Sequence, residues 1–127
     1  MAEPDTNQLV TAFLDAANRR DPDALAAICV PDVEFRPLLG PPTGLPHRGA
    51  DGIRRWLAEV GARFPDIEAR AEHVRTVHGG IVVSGTTAGP GIGYAWHVAI
   101  RLRDGLVAGW DFHPSSDHAR RALATRT

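Results

Sequence analysis

The residues best suited to chemistry lie near the end of the chain, where an acid and an imidazole are two positions apart. Asp111 and His113 flank Phe112 in a predicted strand, and this spacing puts two side chains on one face of a strand. A carboxylate in apolar surroundings has a raised pKa, which suits general acid–base work near neutral pH. We therefore predict that Asp111 moves a proton and that His113 assists or orients it.

Arg36 is the third candidate for a catalytic role. It ends a predicted strand over residues 33–36, just before a segment rich in proline and glycine at residues 37–49. A guanidinium at the mouth of a cavity can stabilise a developing enolate, and we predict this role for Arg36.

No cofactor and no metal are expected. The chain contains no lysine, which excludes Schiff-base chemistry and a Walker-type phosphate site. Cys29 is the single cysteine, and the six histidines follow no spacing such as His-Glu-x-x-His, so the patterns typical of zinc sites are absent.

The direction in which Asp111 and His113 point depends on a tight turn at Asp104-Gly105, the strongest kind of short hairpin signal. Continuing a two-residue turn outward gives the pairs Leu102–Val107, Ile100–Gly109, Val98–Asp111 and Trp96–His113. The first member of each pair belongs to an apolar alternation, and paired residues share a face of the sheet. We therefore predict that Asp111 and His113 face the core, beside a Gly109 that leaves room for a cavity.

A bulge in the last strand would reverse this arrangement. Asp111 and His113 would then point outward, and Trp110 and Phe112 would turn inward. In the register without a bulge, these two aromatic residues lie on the outer face with other apolar residues. An apolar outer face is typical of a covered surface, so we predict a homodimer.

Helical patterns precede and follow the strands. Helices are predicted from Thr6 to about Arg19, from Asp21-Pro22 until Pro31 ends the helix, from Asp51 to Phe64, and from a cap at Ser115 or Ser116 to Ala124. Strands are predicted at residues 33–36, 67–77, 81–88, 94–103 and 106–113. This order predicts an α+β fold. We expect one domain over residues 1–127, with three N-terminal helices on a curved, mostly antiparallel sheet in a conical, barrel-like arrangement.

The composition limits the partners of the chain. Its 127 residues are 43% hydrophobic and 23% charged, as in ordinary globular domains. The net charge of −1 is made of interspersed signs, which argues against nucleic-acid binding. No apolar run approaches about 18 residues, and the first residues lack the pattern of a signal peptide. We expect a cytoplasmic protein without membrane or nucleic-acid partners.

The chain resembles the nuclear transport factor 2-like superfamily, and SnoaL-like domains in particular, over nearly its whole length. The resemblance rests on the opening helix pair and on the segments DVEFRP at 32–37, HRGADGIRRW at 47–56 and RLRDGLV at 101–107. It implies helices packed on a curved sheet around one mostly apolar pocket, often in a dimer and without a cofactor. The superfamily includes polyketide cyclases, steroid isomerases, epoxide hydrolases, dehydratases and binding modules without catalysis.

The resemblance also indicates which function to expect. A steroid isomerase is disfavoured, because Arg36 and Trp96 stand where that activity implies acids. Our main hypothesis is a cofactor-independent acid–base enzyme of cyclase, isomerase or dehydratase type, acting on a small apolar or polyketide-like carbonyl compound. The alternatives are a non-catalytic module that binds a small ligand or acts as a dimeric scaffold, and an epoxide hydrolase that uses Glu34 as its second acid. The residues predicted to contact the substrate are Phe13, Trp56, Tyr94, Trp96 and Val98.

Overall fold

The computed structural model describes residues 6–36, 46–77, 80–90 and 92–124. The helices are α1 (Thr6–Asn18), α2 (Pro22–Ala27), α3 (Gly49–Arg63) and α4 (Ser116–Ala124). The strands are β1 (Cys29–Arg36), β2 (His47–Arg48), β3 (Glu68–Val77), β4 (Gly80–Gly89), β5 (Ile92–Arg103) and β6 (Leu106–His113). The predicted α+β class and the order of its main elements are confirmed, with β2 as an unpredicted addition. Most of the predicted loop after Arg36, residues 37–45, lies outside the described residues.

One six-stranded sheet carries the fold, in the order β2-β1-β6-β5-β4-β3. Its neighbouring strands are antiparallel, except that β1 runs parallel to β6. The helices α1, α2 and α3 pack their apolar residues on the inner face, where the main core lies. The helix α4 packs on the outer face, with Ala119 and Leu123 against Val82 and Ala99. Helices therefore pack on both faces of the sheet, and α4 contacts β4, β5 and β6 on the outer one.

Local signals position the shorter helices. The Asp21 side chain accepts a hydrogen bond from the Ala24 amide at 3.1 Å, and Pro22 occupies the first helical position, as predicted for this start. The Ser115 hydroxyl accepts from the His118 amide at 3.0 Å, so Ser115 caps α4. The prediction that Pro31 ends the second helix is wrong, because Pro31 lies within β1. Among the described residues, β2 pairs with Glu34 and Phe35 of β1. No described strand lies beside Pro31 on that side, so its missing N–H costs no ladder hydrogen bond there.

The hairpin between β5 and β6 begins as predicted and then changes register. Asp104 and Gly105 have φ angles of 54° and 80°, as the turn type expected for Asp-Gly requires. The pair Leu102–Val107 is present. Ala108 is then an extra residue in β6, and the next pairs are Arg101–Gly109, Ile100–Trp110, Ala99–Asp111, Val98–Phe112 and His97–His113. The predicted pairs Ile100–Gly109, Val98–Asp111 and Trp96–His113 are wrong because of this bulge.

The bulge turns Trp110 and Phe112 inward and Asp111 and His113 outward, so the prediction that the acid and the imidazole face the core is wrong. Trp110 has 0% of its surface exposed and stacks on Phe35 with ring centroids 4.1 Å apart. Burying an aromatic side chain is worth about 4–6 kcal/mol, whereas a bulge gives up one or two ladder hydrogen bonds of about 1 kcal/mol each. The packing of the core, and not the turn, therefore determines the register of β6 beyond Val107.

The homodimer prediction loses its supporting argument with this change. It depended on Trp110 and Phe112 forming an apolar outer face, and both side chains belong to the interior. The homodimer stays a prediction.

The space beside Gly109 is occupied by a side chain and does not form a cavity. The Arg101 guanidinium lies over Gly109, donating to the Asp111 carboxylate at 2.6 Å and to the Glu34 carbonyl at 2.9 Å. The Asp111 and Arg101 side chains are only 14% and 20% exposed. The space that we predicted beside Gly109 is thus filled by an ion pair on the outer face.

Candidate functional site

A cavity of about 90 Å³ lies between α1, α3 and the inner face of the sheet. An engineered apolar cavity of about 150 Å³ binds benzene, and one water needs only about 10–15 Å³, so this cavity is smaller than the benzene site and has room for the apolar chain of a small molecule. Its lining is formed by Phe13, Leu14, Ala17, Asn18, Arg20, Trp56, Leu57, Val60, Ile67, Ala69, Thr87, Tyr94, Trp96, Val98 and Phe112.

All five residues predicted to contact the substrate line this cavity. Phe13 comes from α1, Trp56 from α3, and Tyr94, Trp96 and Val98 from alternate positions of β5. The alternation along β5 therefore gave the correct inner face. Whether these side chains contact a ligand stays a prediction.

Ten further lining residues were not predicted to contact a ligand, and the sequence signals for four of them differ in strength. Thr87 has the same parity along β4 as the buried Ile81 and Val83, so alternation could have found it. Phe112 faces the cavity only because of the bulge. Asn18 is the last residue of α1 and Arg20 lies in the connection to α2, so both stand where the periodic pattern of the helix ends.

Asn18 has a structural role. Its side-chain amide donates to the Ala69 carbonyl and its side-chain oxygen accepts from the Ala69 amide, both at 2.9 Å. These bonds join the end of α1 to β3 and use both ends of the Asn18 amide. Asn18 therefore has little capacity left for a ligand.

Arg20 is the one charged residue among the described residues that line the cavity. Its guanidinium donates to carbonyl oxygens of Ala17 and Asn18 at 2.7 and 3.2 Å, and of Phe64 and Ile67 at 3.0 and 3.4 Å. These carbonyls follow or end α1 and α3, where helix dipoles favour a cation. Burial lowers the pKa of Arg20 from its usual range.

Trp96 contributes a polar atom that the fold leaves unused. The indole is 5% exposed, and its buried Nε1 donor has no hydrogen-bond partner among the described residues. A buried donor without a partner costs roughly 1–3 kcal/mol. An acceptor on a bound molecule would remove that cost.

The three predicted catalytic residues lie outside the cavity. Asp111 and His113 are on the outer face of β6, and exposed Arg36 is the register partner of Asp111 on β1, so it shares that face. The prediction that Arg36 stands at the mouth of the cavity is therefore wrong. Glu34, the second acid of the epoxide-hydrolase alternative, accepts at 2.9 Å from Arg48 and is also absent from the lining.

His113 belongs instead to a group of polar side chains near α4. Its Nδ1 lies 2.9 Å from Nδ1 of His118. Its register partner His97 has Nδ1 2.8 Å from the Ser84 hydroxyl. The first contact joins α4 to β6 and the second joins β5 to β4, and the sheet separates both contacts from the cavity.

The described residues hold no group of three or more side chains arranged to bind a metal ion. Burial raises the pKa of Cys29 to about 12, which keeps its thiol protonated and unreactive near neutral pH. Within the described ranges, no helix has the length and apolar character that a bilayer crossing requires.

Comparisons with known proteins agree with the fold. The model of the SnoaL-like domain family matches residues 10–110. A candidate polyketide cyclase from Sinorhizobium meliloti superposes with a TM-score of 0.70 at 21% identity, covering 84% of this chain and 94% of that one. A candidate ketosteroid isomerase from Kribbella flavida gives 0.68 at 20% identity, covering 84% and 75%. An NTF2-like protein of unknown function from Burkholderia pseudomallei gives 0.71 at 19% identity, covering 93% and 96%.

At these identities the solved structures establish the fold alone, and no curated protein matches the sequence. The family match covers most of the chain, and it agrees with helices on a curved sheet that enclose an apolar cavity. This chain therefore belongs to the SnoaL-like domain family and has the NTF2-like fold that polyketide cyclases and ketosteroid isomerases share.

Proposed function

We propose that this chain binds a small, mostly apolar molecule in the cavity between α1, α3 and the sheet. The ligand carries a hydrogen-bond acceptor that reaches the Trp96 indole. Binding requires no acid–base catalysis by a carboxylate or an imidazole. The proposal takes the ligand-binding form of the non-catalytic alternative that the sequence left open, and it does not include the dimeric scaffold.

The observation that carries the proposal is the chemistry of the lining. Among the described residues, the lining contains no aspartate, glutamate or histidine. An enzyme of cyclase or isomerase type needs a group that accepts and returns a proton at the substrate. The Asp111 carboxylate, our candidate for that step, is held by Arg101 on the opposite face of the sheet. Apolar walls with a few placed polar groups are typical of a binding site.

The unpartnered Trp96 Nε1 supports an acceptor on the ligand. Phe112 meets the Trp96 ring edge to face, with centroids 6.3 Å apart and planes at 83°, so packing fixes the indole. A donor in a fixed position favours one orientation of the ligand, whereas apolar walls alone favour none. A carbonyl or hydroxyl oxygen is the simplest group to fill this role.

A titration with pentan-1-ol, followed by tryptophan fluorescence, tests the proposal. Burying its five carbons is worth up to about 4 kcal/mol, which corresponds to a Kd of about 1 mM. Trp56 and Trp96 line the cavity, so they report on binding there. Replacing Ala17 of the lining, Ala17→Leu, should fill part of the cavity and weaken binding about tenfold or more.

The matched control is Ala12→Leu on the exposed side of the same helix, which should bind as the unmodified chain does. Absence of saturable binding to the unmodified chain would contradict the proposal. Equal binding by Ala17→Leu and Ala12→Leu would show that the alcohol binds elsewhere.

A further inference from the structure

We infer that the natural ligand of the cavity is an anion, a small apolar carboxylate whose charged end lies at Arg20. This inference rests on the proposed function, since it names the chemical class of the molecule that the cavity takes. It is carried by the hydrogen bonds and the charge balance of one guanidinium.

The donors of Arg20 can be counted one by one. A guanidinium has five N–H groups in a fixed plane. Nη1 donates to Ala17 and Asn18 carbonyls, and Nη2 donates to Phe64 and Ile67 carbonyls, which accounts for four of the five. The fifth donor is Nε–H, which is buried and has no partner among the described residues. The fold thus fixes the orientation of the guanidinium and leaves one donor unused.

The charge of Arg20 is also uncompensated by any acid. All four of its partners are neutral carbonyl oxygens, and the ion pairs formed within the described ranges use other arginines. Burial is the one influence that lowers the pKa of Arg20, and no neighbouring carboxylate opposes it. An arginine stays protonated in proteins, so Arg20 keeps its positive charge, which four carbonyl dipoles face but no described carboxylate pairs with.

The position of Arg20 suits the polar end of an amphiphilic molecule. Its partners Asn18 and Ile67 are partly exposed, whereas Phe13, Leu57 and Val98 are among the buried residues of the lining. The hydrocarbon part of a ligand would therefore lie among the buried residues. Its carboxylate would lie nearer to solvent and accept a charge-assisted hydrogen bond from Nε, which is stronger than a neutral one.

A neutral ligand or a cation fits these observations less well. A neutral acceptor could use Nε–H, but it would leave the partly buried charge of Arg20 without an anionic partner. A cation would be repelled by Arg20, and no acid in the described lining would offset that repulsion. A carboxylate at Arg20 provides both the acceptor and the negative charge. The acceptor proposed for the Trp96 indole is a second polar group of the natural ligand, which pentanoate lacks.

The test compares three probes with the same five-carbon chain: pentanoate, pentan-1-ol and pentylammonium. We expect the unmodified protein to bind pentanoate at least tenfold more tightly than pentan-1-ol, and pentylammonium most weakly. Raising NaCl from 50 to 300 mM should weaken pentanoate binding several-fold and leave pentan-1-ol binding unchanged, because salt screens the charge interaction. Both comparisons use the unmodified chain, so they do not depend on the folding of a variant.

The variant Arg20→Met tests whether Arg20 causes the preference for pentanoate over pentan-1-ol. It should bind pentanoate and pentan-1-ol within about threefold of each other, because Met has a comparable length without the charge. The matched control is Arg19→Met, at a neighbouring arginine that is exposed and outside the lining, and it should keep the preference for pentanoate.

The possible failures are distinguishable. If pentan-1-ol binds and pentanoate binds no more tightly, the carboxylate inference is wrong and the proposed function stands. If folded Arg20→Met still prefers pentanoate, the assignment of Arg20 is wrong. If neither probe binds, the proposed function fails.

Discussion

Replacing Trp110 with alanine should lower the free energy of unfolding by about 4 kcal/mol, within the range of roughly 3–5 kcal/mol that large aromatic-to-alanine changes cost in cores. Trp110 is fully buried. It stacks on Phe35 and meets Phe13 edge to face with ring centroids 4.8 Å apart. The side chain thus joins β1 and α1 to β6. Urea denaturation followed by circular dichroism measures the change.

Leu106→Ala in the same strand is the control, because Leu106 is 37% exposed. It should cost less than about 1 kcal/mol. In the register without a bulge, Trp110 would lie on the outer face. A cost for Trp110→Ala as small as that for Leu106→Ala would therefore contradict the observed register.

The second large effect is expected at Gly109. A Cβ built there would lie 2.0 Å from Nη2 of Arg101 and 2.2 Å from the Glu34 carbonyl oxygen. Gly109→Ala must therefore displace the Arg101 side chain and move β6 from β1. Displacing Arg101 also leaves Asp111 partly buried without its ion pair, which is costly. We expect a loss of about 3 kcal/mol, or roughly 10 °C in Tm.

Gly93→Ala provides a matched control in the neighbouring strand. A Cβ at Gly93 meets nothing within 4 Å, and replacing a strand glycine with alanine reduces the entropy lost on folding. Thermal unfolding of this variant should give an unchanged or slightly higher Tm. Equal Tm values for Gly109→Ala and Gly93→Ala would contradict the close contact between Arg101 and Gly109.

The sequence was sufficient for most of the helices and strands and for the inner face of β5. Each helix start with a strong cap was predicted correctly because capping is local, as at Asp21 and Ser115. The inner face of β5 followed from its alternation of apolar residues, and that alternation correctly predicted Tyr94, Trp96 and Val98 in the cavity lining.

The register of β6 was not predicted, because a turn specifies only the pairs next to it. The Asp104-Gly105 turn placed Leu102 opposite Val107, but the bulge at Ala108 lies beyond its influence. A signal for the bulge was present, since a glycine inside a strand marks a bulge or a close approach. Gly109 is next to the bulge and is also covered by Arg101, so both meanings apply.

Arg20 could not have been found from local sequence. Its role depends on carbonyl oxygens of Phe64 and Ile67, which are far along the chain and come close only when α1 and α3 pack together. Arg20 has a φ of 56°, a left-handed conformation that is uncommon for residues other than glycine. No pattern in the sequence predicts an arginine in that conformation.

An NMR titration with pentan-1-ol tests binding in the cavity directly, because it compares the two faces of the sheet. We expect the Trp96 indole N–H resonance to shift in proportion to bound alcohol, because Trp96 lines the cavity. The imidazoles of His113 at the end of β6 and His118 in α4 contact each other on the outer face, and their resonances should not shift. Shifts of these two imidazole resonances with an unchanged Trp96 indole resonance would place the ligand on the outer face and contradict binding in the cavity.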